Sequence, residues 1–251
     1  MQTNCEDCEA IGLKKDGEYL QLNTNILQIA NEYYSSVRPK PIINGSDRPL
    51  GALLNRGVGY IELRSLDVNP LIKDGIDEEQ VQFLESFMLF CLLEDSPVIS
   101  SSEINEIDLN SSLVAHRGRE PGLKLMQKGK ELNLKNWGES ILNKIHDCSA
   151  LLSEAHQRSV KQISDRIINP DLTPSAQMLN EMKLQEQGFF EYTDQFSHKY
   201  QKIFKNMKIS DGYFSELDRL RMLSNEKQLE IESDDQLDFD QFLEEYFSSD
   251  T

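Results

Sequence analysis

The chain has 251 residues, enough for one large or two small domains with a buried core, and with 38% hydrophobic and 27% charged residues it reads as a polar globular protein. Forty-three acids against 26 lysines and arginines give a formal charge of −17, which repels phosphate backbones and anionic lipids and so argues against nucleic-acid and membrane partners. The longest apolar run, Phe87–Leu93, is far too short to span a bilayer, and Met1–Cys8 has neither the basic nor the apolar region of a signal peptide, so a cytoplasmic protein is expected.

Cys5 and Cys8 open the chain with metal-ligand spacing, yet no second CxxC and no HxxxH follows among Cys91, Cys148 and the four histidines. Two free thiols on a mobile start are therefore expected, with a zinc or redox pair as the alternative. Glu18–Asn23 alternates, with Leu20 and Leu22 on one face, and predicts a strand. Arg38–Pro41 and Asn44–Pro49 are extended or turning segments. Tyr60–Leu66 is the second clear strand, closed by Asp67-Val-Asn-Pro70.

Beyond that point the pattern turns helical. Asp77, with Gln80 three residues on, has the form of a capping box, and Val81, Leu84, Phe87, Met88, Cys91 and Leu92 follow at helical spacing. Phe83 and Phe90 broaden the apolar face, so this helix is expected to be buried on most sides. Glu94–Pro97 and the serines 100–102 end it, and His116–Gly122 reads as a turn-rich, mostly basic loop. One long helix is expected through Trp137–Ile168, and another from Thr173 with Pro174 at its first position. Between Glu226 and Asp250 ten acids stand against one lysine, carrying nine of the seventeen net negative charges. Even so, Phe239, Phe242, Leu243, Tyr246 and Phe247 form an amphipathic terminal helix, expected to dock on the helical layer. The economical reading is one α+β unit: a strand-and-turn region over 1–75 bearing the site, and a helical region over 76–251.

No GxxxxGK[ST], GxGxxG, GxSxG or HExxH pattern is present. The residues left to consider are on the strand. Glu62 and Arg64, two apart, project from one face about 7 Å apart, while Ile61 and Leu63 are expected to point into the core. A carboxylate is a hard oxygen ligand suited to magnesium, and a guanidinium forks onto phosphate or carboxylate. Together they could hold a metal-bridged phosphoryl group. Spacing alone favours a cross-strand pair on the wet face of an antiparallel sheet. Asn31 and Tyr34 could read a substrate's carboxylate or amine, or be a turn asparagine and a sheet-edge tyrosine. Arg117 and Arg119 could form an anion site, or cap a helix end and pair with acids.

Taken in order, these segments resemble glutamate–cysteine ligase of the bacterial type. The resemblance is carried by Leu20-Gln-Leu-Asn-Thr-Asn25, Asn31-Glu-Tyr-Tyr34, Val37-Arg-Pro-Lys40, Gly59-Tyr-Ile-Glu-Leu-Arg-Ser-Leu-Asp67 and Asn69-Pro70. It continues through Arg117-Gly-Arg-Glu-Pro-Gly-Leu123, Asn169-Pro-Asp-Leu-Thr-Pro-Ser175 and Phe239-Asp-Gln-Phe-Leu243. It implies part of a glutamine-synthetase-like antiparallel sheet followed by a mainly helical region. It also implies ATP- and magnesium-dependent joining of the L-glutamate side-chain carboxylate to the amine of L-cysteine, the first step of glutathione synthesis. By position, Glu62 matches a magnesium-binding carboxylate and Arg64 the arginine contacting substrate glutamate or the transferred phosphate. Tyr34 matches the tyrosine that helps bind cysteine, and Asn31 an active-site asparagine. The resemblance assigns no role to Arg117.

The resemblance spans the whole chain but corresponds to the second half of the family. Two readings follow: the C-terminal portion of an ATP-dependent ligase that needs a partner N-terminal half and is inactive alone, or a non-catalytic acidic helical module that binds another chain.

Overall fold

The computed structural model describes residues 3–29, 32–44 and 47–248. The fold is mixed, mainly helical with small antiparallel sheets. In chain order the elements are α1 (Glu6–Ile11), β1 (Lys14–Lys15), β2 (Glu18–Tyr19), β3 (Val37–Lys40), α2 (Pro49–Arg56), β4 (Tyr60–Leu63), α3 (Glu78–Leu93), α4 (Ser101–Arg117), β5 (Lys124–Gln127) and β6 (Lys130–Asn133). Among the described residues six α-helices follow, α5 (Leu134–Ser149), α6 (Glu154–Ile168), α7 (Pro174–Gln185), α8 (Phe189–Lys205), α9 (Asp211–Asp234) and α10 (Phe239–Ser248), with a short 3-10 turn, Pro170–Leu172, between α6 and α7. Each sheet is a two-stranded antiparallel pair: β1–β2, β3–β4 and β5–β6. By contacts the chain divides into one unit of residues 1–67 with 209–251 and a second of residues 68–208, so the two last helices group with the strand segment.

The second unit holds the main apolar core. Leu142, Ile145 and Val160 of α5 and α6 are buried, and Phe83, Phe87 and Phe90 of α3 pack against them with Ile141, Ile163 and Ile167. Small residues let the three helices approach closely. Ser86, Ser149 and Ser159 are fully buried, and each hydroxyl donates to a carbonyl three or four residues back, leaving no polar group unsatisfied. A Cβ at Gly138 would stand 3.4 Å from the Ile167 side chain, so α5 meets α6 there at van der Waals contact.

Helix starts follow their local chemistry. Asp77 accepts from the Gln80 amide at 2.7 Å, and Thr173 accepts from the Ala176 amide with Pro174 at the first helical position. Ser100 and Glu103 form a reciprocal capping box. Ser100 therefore starts α4 rather than only ending α3, and α4 runs through His116 and Arg117, which were expected in a loop. The single helix expected over Trp137–Ile168 is two: α5 ends at Ser149, and Ser153 caps α6. Helix α3 is buried less than its sequence suggested. Only Ser86 is fully buried, while Leu92 and Leu93 are exposed, because α5 and α6 cover one side of it and not the rest.

Near the chain start the strands are short. The strand expected over Glu18–Asn23 reduces to Glu18–Tyr19, and two helices, α1 and α2, interrupt a region read as strands and turns. Cys5 caps α1, placing Cys8 one turn later with 5.1 Å between Cα atoms, and the two are joined as a disulfide rather than free. The Cys5 amide also donates to the Thr24 carbonyl, so this start is held in place. Helix α10 forms as expected but docks on the N-terminal segment. Phe239 meets Tyr19 edge-on, Asp240 accepts from Lys14 and Tyr19, and Arg48 stacks on Tyr246 and donates to its carbonyl. No helix among the described residues is long and apolar enough to cross a membrane.

Candidate active-site strand pair

The pair β3–β4 brings the sequence's chemical residues together. Its register sets Val37 opposite Leu63, Arg38 opposite Glu62, Pro39 opposite Ile61 and Lys40 opposite Tyr60. The Arg64 amide donates to the Ser36 carbonyl at 2.8 Å, extending the ladder one step past β4. Because side chains alternate across a strand, Arg38, Lys40, Glu62 and Arg64 share one face. Val37, Pro39, Ile61 and Leu63 share the other. Ile61 was expected in the core, yet it remains 48% exposed in this two-stranded ribbon, while Leu63 on the same face is half-buried.

On the polar face the charges are close. Arg64 Nη2 lies 3.0 Å from Glu62 Oε2, and Lys40 Nζ lies 3.4 Å from the same oxygen. That oxygen is shielded from solvent and is held between the Arg64 guanidinium and the Lys40 ammonium. The Arg64 guanidinium, and after it Lys40, holds the Glu62 carboxyl below the usual carboxylate range. The Tyr34 ring, which is exposed, sits 5.3 Å from Arg64 Cζ, in cation–π range. Tyr34, Glu62 and Arg64 therefore form one cluster, while Asn31 lies outside the described residues. Sequence reasoning left Lys40 and Arg38 out of the site. The register supplies them, and the period-two spacing within Val37-Arg-Pro-Lys40 was the available signal.

Three cations and one carboxylate on a single face suit an anionic group, in a chain whose charge is otherwise strongly negative. As a hard oxygen donor the Glu62 carboxylate suits a divalent cation as one ligand, with Arg64 and Lys40 already flanking Oε2. Among the described residues no group of three His, Cys, Asp or Glu side chains converges on a metal position. Arg117 and Arg119 stand elsewhere in the chain, and Arg117 forks onto Glu120 with both contacts at 2.7 Å. The guanidinium is thus committed to an acid.

A family model described as glutamate-cysteine ligase matches residues 1–114, which include all of β3–β4. A glutamate–cysteine ligase of Pseudomonas paraeruginosa is 39% identical over 246 residues, covering 96% of this chain and 46% of that protein. Over nearly its whole length this chain is similar to the glutamate–cysteine ligases. A ligase of the family from Shewanella halifaxensis is 37% identical over 243 residues, with 95% and 47% covered. The crystal structure of a glutamate–cysteine ligase from Francisella tularensis in complex with AMP superposes with a TM-score of 0.91 at 29% identity, over 99% of this chain and 50% of that one. The chain spans about half the length of the curated ligases it matches.

Proposed function

We propose that this chain contributes part of the active site of an ATP-dependent ligase that joins the γ-carboxylate of L-glutamate to the amine of L-cysteine, the first step of glutathione synthesis. The observation that carries the reading is the convergence of Tyr34, Lys40, Glu62 and Arg64 on one strand-pair face, within the segment matched by the family model. The AMP bound to the Francisella relative supports nucleotide use. The sheet fragment β3–β4 is read as part of a glutamine-synthetase-like antiparallel sheet, and the site of action as the cytoplasm.

A free carboxylate is a poor acyl donor. Its oxygen attacks the terminal phosphorus of ATP and ADP leaves; the amine then attacks the acyl carbon, and phosphate departs as the amide forms. A magnesium ion would neutralise the phosphate charge during the first transfer. Glu62 is assigned as one of its ligands. Arg64 orients the glutamate carboxylate or the transferred phosphate through its planar fork, with Lys40 adding charge from the neighbouring strand. Tyr34 presents an exposed ring and hydroxyl to the cysteine substrate, and Asn31 is assigned to the same site.

One carboxylate does not complete a magnesium shell, and one strand pair does not enclose two amino acids and a nucleotide. The remaining ligands and walls are assigned to the rest of the ligase, acting as a partner N-terminal half. A polypeptide of these 251 residues alone is therefore expected to release no phosphate in response to glutamate, cysteine and ATP. Supplied with the other half of a relative, it should gain such release, and Glu62→Ala or Arg64→Ala should remove the gain. Turnover by the 251 residues alone, or restored turnover indifferent to both substitutions, would overturn the assignment. A purely non-catalytic acidic module is not favoured, since the relatives are ligases by name.

A further inference from the structure

Helices α5 and α6 of the second unit form a hairpin, and an open cavity of about 460 Å³ lies along one side of it. Leu142, Asn143 and His146 of α5 line it across from Gln157, Arg158 and Lys161 of α6. Glu154 and Ser164 extend the α6 wall, and the spacing 154, 157, 158, 161 and 164 keeps these residues on one helical stripe. Among the described residues the side chains of His146 and Lys161 have no hydrogen bond or ion pair. Arg158 has only a long contact, 3.9 Å to Glu154, with both groups well exposed. Arg158, Lys161 and His146 share this open concavity with the side-chain amides of Asn143 and Gln157.

We propose that this cavity is a binding site for a small oxyanion carrying about two negative charges, of the phosphate or dicarboxylate class. Lys161 and Arg158 supply the charge, and Arg158 can turn from its distant Glu154 contact to fork onto two oxygens. The Asn143 and Gln157 amides and the His146 ring provide further donors around it, while the Ser164 hydroxyl donates to the Val160 carbonyl. The site lies in the second unit, among other residues than those of the strand-pair face, and the inference does not rest on the ligase reading.

The test is an amide-resolved NMR titration of the full 251-residue chain with inorganic phosphate, at constant ionic strength balanced with chloride. Saturable, one-to-one shifts confined to residues 142–164 are expected, with a Kd on the order of 1–10 mM. The double substitution Arg158→Gln, Lys161→Gln, on exposed positions that leave the core intact, should weaken binding at least roughly tenfold. Glu154→Gln should strengthen it by roughly two- to five-fold, because it removes the competing carboxylate. Dicarboxylate in place of phosphate should shift the same amides. Shifts that grow linearly without saturation, that persist in the double variant, or that appear only around Arg38, Lys40 and Arg64 would overturn the proposal.

Discussion

Glu62 faces three cations, and the nearest of them governs its titration. Its carboxyl is held low by Arg64 first and Lys40 second, so the ion pairs stabilise the fold above the ordinary value and are lost as the pH falls through the lowered one. Arg64→Ala should move the Glu62 carboxyl back toward 4.5, and Lys40→Ala should do so by less; carboxyl-carbon NMR during an acid titration reads both. Tyr192 shows the opposite sign. It is fully buried, its hydroxyl donates to Glu181 at 2.6 Å, and burial, with the Glu181 charge behind it, pushes its pKa up to about 12. In the unfolded chain it ionises near 10, so its contribution is intact below that value and fades as the pH rises toward 12. Tyr192→Phe should cost about 1.5 kcal/mol at neutral pH, and the gap to the parent should narrow in melts recorded above pH 10.

Among the elements, α10 depends on very few contacts. Leu243 is its one buried residue, while Phe239 and Phe242 stay largely exposed. Leu243→Ala should cost about 2 kcal/mol, near the low end for a buried leucine. Arg48→Ala should raise amide exchange through 239–248, because it removes both the stacked cation and the donor to the Tyr246 carbonyl. What could be read from the sequence divides by how local the cause is. Asp77 and Thr173-Pro174 announce their helices because a cap acts within one turn, and period-two spacing put Glu62 and Arg64 on one face before any register was known. The break after Ser149 and the burial of only one side of α3 are set by which helices pack against which, and that is not written in a window of neighbours. The hairpin β5–β6 was missed although Lys128 and Gly129, both at positive φ, are its two-residue turn. The box at Ser100 and Glu103 was visible in the sequence but read as an ending. At the site, Lys40 required the strand pairing itself.

At the scale of the whole molecule, the cluster of Leu142, Ile145 and Val160 belongs to one unit, while the buried Ala52 and Leu243 belong to the other. Val160→Ala and Leu243→Ala should therefore give additive losses, each displacing a different calorimetric transition if the units melt apart. A net charge of −17 repels itself. Raising sodium chloride from about 0.02 to 0.5 M shortens the screening length to a few ångström and should raise the melting temperature by about 2–4 °C, the equivalent of about 1 kcal/mol in a chain of this size.

Helix α4 reaches the hairpin through two side chains. The Asn110 amide donates to the Met126 carbonyl at 2.7 Å and its oxygen accepts from the Met126 amide at 2.8 Å, while Glu106 accepts from the Lys128 and Gly129 amides. A primary amide making both bonds to one residue imitates the next strand of a sheet, so β5 has its outer hydrogen-bonding row already filled where it would be most adhesive. Edges left open in this way recruit other chains. Asn110→Ala should change the melt little yet leave Met126 free to pair, and the consequence would be seen as concentration-dependent growth in light scattering, a failure of solubility whose origin is one missing carboxamide.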